Sequence, residues 1–175
     1  MTKSQLIIVE KANKFCEENN ITNYPVNIIT LCAKYGLQVF EKYLPQNVSG
    51  FIVFQAENFL DFNTGKVIVV NLLDGPARRR FTIAHELAHF VLHKSENETI
   101  YAHRDAGQNG GIEQEANIFA SNILMPENLV KNALSKLDSS FWGSALDSEK
   151  IRYISEEFAV SRAAAQVRLE QLQII

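Results

Sequence analysis

The chain has 175 residues and a mass of 19.8 kDa, with 46% hydrophobic and 21% charged residues, which leaves room for about one ordinary domain and excludes intrinsic disorder. Seventeen basic against twenty acidic residues give a net charge of −3 and a pI near 5.8, so non-specific coating of nucleic acid, which needs an excess of cations, is excluded as a way of life. The longest apolar runs, residues 6–9 and 67–70, fall far short of the ~18 residues of a membrane-spanning helix, and no signal core follows Met1-Thr2-Lys3-Ser4-Gln5. The expectation is a cytoplasmic protein with no membrane partner.

In chain order, Leu6, Val9, Phe15 and Cys16 recur near helical spacing and predict a helix over residues 4–20. Pro25 opens a second helix over 26–35, and Gly36 stands where a left-handed C-terminal cap belongs. Cys16 and Cys32 lie within these helical patterns and read as reduced, half-buried thiols. Strand-like runs follow at 37–40, 50–55 and 66–71, with Asn63-Thr64-Gly65 as a turn before the last. Asp74-Gly75-Pro76 ends that strand and starts a long helix running to about His93. Residues 95–111 are polar, carry three glycines and read as a loop. Helices are then expected over 111–125, from Pro126 to about 137, over 148–158 and over 162–172, with a connector around Trp142. The class is α+β, a small and largely antiparallel sheet packed on helices.

The chemistry lies in His85-Glu86-Leu87-Ala88-His89, an H-E-x-x-H sequence. Four residues turn a helix through about 400°, so the two imidazoles point the same way and can share one tetrahedral ion. Glu86 sits beside that line, able to reach a water on the ion and take its proton as general base. Ala84 and Ala88 allow a second element to approach closely, while Phe81, Leu87, Val91 and Leu92 anchor the helix. A catalytic zinc needs a third protein ligand. The metzincin spacing is excluded, because Leu92 and Ser95 stand where its Gly and His belong. His93 is a further turn along the axis and reads as a helix-end group, and nothing positions His103 or Asp105. A carboxylate from a second helix is the gluzincin solution, and Glu113 and Glu115 are both available. Glu113 lies within the apolar arc of Ala116, Ala120 and Leu124, with Glu115 at its edge, so the helical wheel leaves both open.

The stretch from Phe81 through His89 to Phe90 resembles the active helix of the ImmA/IrrE family of metallo-endopeptidases. Glu113-Gln114-Glu115-Ala116-Asn117-Ile118-Phe119-Ala120, running on to Leu124-Met125-Pro126, is similar to the downstream helix of that family. Pro25-Val26-Asn27-Ile28 and Ser49-Gly50-Phe51-Ile52 extend the likeness toward the N-terminus. The resemblance implies a zincin-like (gluzincin type) domain over residues 1–137, with a C-terminal helix-turn-helix-like segment, 138–175, packed on it. It implies zinc held by His85, His89 and Glu115, with Glu86 as catalytic base and Glu113 in a structural role. Tyr101 and His103 are loop candidates for an oxyanion donor. The implied activity is cleavage of a specific protein, a helix-turn-helix transcriptional repressor, which relieves repression. Two alternatives are a zincin scaffold that sequesters a repressor or toxin without cutting it, and a DNA-binding regulator. In the second, Arg162, Gln166 and Arg168 would face DNA, against which Glu156, Glu157 and Glu170 weigh. Residues 66–71 are expected to offer an edge to an extended peptide, and the glycines of 107–111 a lid or a connector.

Overall fold

In a computed structural model the described residues are 2–54, 65–93, 100–102, 110–137 and 146–175. Seven helices run α1 Lys3–Glu18, α2 Ile28–Lys34, α3 Pro76–His93, α4 Gly110–Leu124, α5 Glu127–Lys136, α6 Asp147–Glu157 and α7 Arg162–Gln171. Four strands, β1 Gln38–Lys42, β2 Gly50–Val53, β3 Val67–Asn71 and β4 Ile100–Ala102, form one sheet in the order β1-β3-β2-β4. β1 pairs parallel with β3, while β2 runs antiparallel to both β3 and β4. The mixed α+β class is therefore as expected, and the sheet is mostly antiparallel. Strand β4 lies inside the segment read from its polarity as loop. Its three residues pair with Phe51, Ile52 and Val53, a partner-dependent strand too short to show periodicity.

Local sequence explains most element ends. Thr2 caps α1 through its hydroxyl, and Gln5 returns the bond to the Thr2 amide at 2.8 Å. The second helix starts later than Pro25 suggests, because Asn27 is the cap and its Oδ1 accepts the Thr30 amide at 3.1 Å. Gly36 takes a φ of +71°, which suits the cap position without a Cβ clash. Ser161 caps α7 by accepting the Ala164 amide at 3.1 Å, as its residue type predicts.

Strand β3 is buried at all five positions and lies between β1 and β2. The expectation that it offers a free edge is thus corrected: both its hydrogen-bonding sides are used, and the sheet ends on β1 and β4. Alternation divides its side chains. Ile68 and Val70 join the main core, whereas Val67 and Val69 join a smaller cluster with Val53. Helix α3 lies against the sheet at Gly50, where a Cβ would come within 2.5 Å of Thr82 Cγ2 and 2.7 Å of Val69 O. That close approach sets the height of the helix that carries the H-E-x-x-H residues. At the end of β3 the buried Asn71 amide bonds to Leu44, Pro45, Val48 and Leu73 backbone atoms and so fastens the β1–β2 connection.

The run Arg78-Arg79-Arg80 is engaged with its surroundings. Arg78 donates to Ser49 Oγ and Asp74, Arg79 donates to Leu72 O beside Glu41, and Arg80 donates to Val26 O. At the C-terminal end, Ile154, Phe158, Ala165 and Leu169 belong to the main core, and Phe158 stacks on Tyr24 at 4.6 Å. Arg168 is only 3% exposed and donates to Met125 O at 3.0 Å. The placement of Arg168 on a DNA-facing surface is corrected by this burial. Gln166 bonds along its own helix to Glu170. Among the described residues no helix is long and apolar enough to cross a membrane.

Candidate metal centre

Helix α3 is buried without interruption from Thr82 to Phe90, and four of those nine residues are polar or ionisable. Such a stretch needs polar partners, since burying an unsatisfied polar group is costly. Thr82 donates to Arg78 O within α3, and α4, packed against α3, presents Glu113 and Asn117 to the histidines. His85 and His89, 4% and 1% exposed, sit one turn apart, and their Nε2 atoms lie 2.9 Å from each other. Glu113 of α4 brings Oε2 to 3.1 Å from His85 Nε2 and Oε1 to 3.4 Å from His89 Nε2. The three side chains offer ligand atoms that all lie within 4.8 Å of one another.

The opposite nitrogen of His85, Nδ1, is 3.0 Å from Asn117 Oδ1. An amide oxygen only accepts, so a proton on Nδ1 would be held by Asn117 and would leave the Nε2 lone pair for an ion. A positive charge lying between the two imidazole nitrogens and the carboxylate would be stabilised by all three. Two imidazole nitrogens and one carboxylate form a donor set that suits a borderline divalent ion. The residues present therefore fit a divalent metal.

Glu86 is 1% exposed. Burial, and then the nearby charge of Glu113, push its carboxyl well above the ordinary range. A metal charge beside it would act in the opposite sense.

The carboxylate beside the imidazole pair is Glu113, whereas the resemblance implied Glu115 there. Glu115 lies 3.6 Å from His93 Nε2, beyond the imidazole pair, and Glu113 takes the place beside His85 and His89. The reason is the way α4 divides its faces. Glu113 and Asn117, one turn apart, both reach His85. Phe119, one turn past Glu115, packs edge-on against Phe15 of α1 at 5.3 Å. Glu115 thus stands toward the C-terminal end of α3, on the side of α4 that carries Phe119. His93 ends α3, with its ring 5.7 Å from that of His89; burial lowers its pKa, partly offset by Glu115. Asn117 was not singled out from sequence, although its position four residues after Glu113 was a usable cue. His103 and Asp105 lie outside the described residues, as do the Tyr101 side chain and the glycine at 107. Gly110 and Gly111 open α4.

A family model for peptidases, described as the IrrE N-terminal-like domain, matches residues 32–170. A Bacillus phage phi105 protein, "Uncharacterized immunity region protein 2", is 30% identical over 115 residues, which are 64% of this chain and 68% of that one. Among solved structures, a Mycobacterium tuberculosis transcriptional regulator matches with a TM-score of 0.60 at 18% identity, over 93% of this chain and 46% of that one. The chain spans less than half of that protein's length, and likeness at this identity concerns the fold.

Proposed function

We propose that this chain, which belongs to the IrrE N-terminal-like family of peptidases, is a zinc-dependent endopeptidase. The observation that carries this reading is the convergence of His85, His89 and Glu113 on one point, with Glu86 buried beside them. These three residues would hold the ion. When bound, the ion would supply a water of lowered pKa and polarisation of the scissile carbonyl. Glu86 accepts the proton of the attacking water at its carboxylate and passes it to the leaving amine nitrogen. Burial, and then the charge of Glu113, raise its basicity, which favours its service as a base. The buried helix wall around the site holds the donors rigidly, so little reorganisation accompanies the reaction. We read the fold as zincin-like of the gluzincin type, with residues 1–137 forming the catalytic part and 138–175 helices docked on it.

The substrate in this reading is a cytoplasmic helix-turn-helix repressor. Support comes from the phage relative, which is described by its place in an immunity region, and from the resemblance of both motif helices to those of repressor-cleaving peptidases. An extended segment of the substrate would add to β4, which ends the strand order. The charge of α7 favours a role in protein contact over DNA contact, since Arg168 is inside and Arg162 is its only other cation.

The test is coexpression with a helix-turn-helix repressor encoded beside this protein, using wild type and Glu86→Gln. Repressor fragments with wild type, and intact repressor with the variant, are expected. An intact repressor released from its operator equally by both proteins would instead establish a sequestering module.

A further inference from the structure

We infer that Asn117 is a positioning residue for His85, fixing which ring nitrogen faces the ion; this rests on the metal reading above. Three observations lead to it. Asn117 Oδ1 lies 3.0 Å from His85 Nδ1, on the side of the ring away from Glu113. Asn117 follows Glu113 by four residues, which on a helix is one turn and a rise of about 6 Å. One face of α4 therefore grips both nitrogens of the same imidazole, a carboxylate at Nε2 and an amide oxygen at Nδ1. Third, His85 is 4% exposed, so its ring has no solvent to settle its tautomer.

The chemistry needs this lock. Free imidazole favours protonation on Nε2 slightly, and that form turns an N–H toward the ligand position. An acceptor at Nδ1 holds the proton there, leaves Nε2 as a lone pair, and resists rotation of the ring about its long axis. Asn117 does this without adding charge. An aspartate in its place would polarise the imidazole more and raise its basicity as a ligand. Asn117 is itself exposed and lines a groove of about 440 Å³ with Phe81, Ile118 and Val167. A leucine is accommodated there, so Asn117→Leu removes the acceptor without opening a cavity or crowding the core.

The experiment has two readouts, neither of which is turnover. Nitrogen-15 chemical shifts of the His85 ring, taken in metal-free protein carrying Glu113→Ala so that the competing acceptor at Nε2 is gone, report the tautomer. Competition with a chromophoric chelator, with Glu113 in place, reports zinc affinity. With Asn117 intact the proton is expected on Nδ1. Asn117→Leu should shift it toward Nε2 and weaken zinc binding by about 10–100-fold, the usual size for such outer groups. Asn117→Asp should restore the tautomer and bind zinc at least as tightly as wild type. A thermal melt of each variant separates these effects from misfolding. Unchanged tautomer and unchanged affinity in Asn117→Leu overturn the inference, as does a proton on Nε2 in the Glu113→Ala protein with Asn117 intact. Failure of wild type to bind zinc at all would overturn the metal reading instead, and the tautomer measurement would still decide the role of Asn117.

Discussion

The α3–α4 contact and the docking of α7 both bury charged or ionisable groups, yet they do so to different ends. In the first, His85, His89 and Glu113 direct three ligand atoms at one another, with Glu86 alongside. In the second, the Arg168 guanidinium ends on a backbone oxygen, that of Met125, where α4 gives way to α5. Burial pulls the Arg168 pKa down to about 10, against the charges of Glu127 and Cys16. Burial of a charge therefore does not identify a site; what the buried atoms point at does. Donors that meet across a gap call for a ligand, whereas a donor that ends on a carbonyl is holding two elements together.

This contrast can be broken most forcefully at Glu86. Glu86→Gln should lower the cleavage rate by about 10²–10⁴-fold while keeping the bound zinc, because only the base is removed. Loss of metal together with activity would show that Glu86 is a ligand and would redraw the site. Next in size is the choice between the glutamates. Glu113→Ala should weaken zinc binding by more than the ~100-fold upper range of outer-group changes, and Glu115→Ala should leave it nearly unchanged. The reverse order, read by chelator competition, would restore the assignment made by resemblance.

Arg168→Ala sharpens the other half. It strands a buried carbonyl and should cost about 1–3 kcal/mol, a fall of several degrees in Tm, with zinc affinity retained. Coupled loss of metal would join the two regions into one unit. Gly50→Ala should destabilise by a similar ~1–3 kcal/mol through overpacking against Thr82 and the Val69 carbonyl. The smallest effects concern the cysteines, whose pKa values burial pushes up to about 12. Raised folded values mean that the stabilisation is fully present below pH ~9 and is lost between there and ~12. At neutral pH both thiols should therefore react with iodoacetamide only as fast as the protein opens, and rapid labelling in the native state would contradict their burial.

Much of the site was legible in advance. The two histidines and Glu86 announce themselves because four-residue spacing on a helix is local information. The long helix was equally plain, from the Pro76 start to His93. The carboxylate that faces the two histidines was not, because it depends on how α4 is rotated against α3. The helical wheel did contain a hint, since Glu113 shares the arc of Ala116 and Ala120, but likeness to a motif favoured the neighbour. Strand β4 and the interior place of β3 were hidden for a related reason: both are properties of pairing, and a three-residue strand carries no period of its own. The burial of Arg168 ran against its residue type, which favours the surface.

The most direct measurement is anomalous diffraction at the zinc edge from crystals of the zinc-loaded protein. A single strong peak within about 2.0–2.2 Å of His85 Nε2, His89 Nε2 and a Glu113 carboxylate oxygen is the expected result. A peak between His93 and Glu115, or none near the paired imidazoles, would contradict the metal centre and the peptidase chemistry built on it.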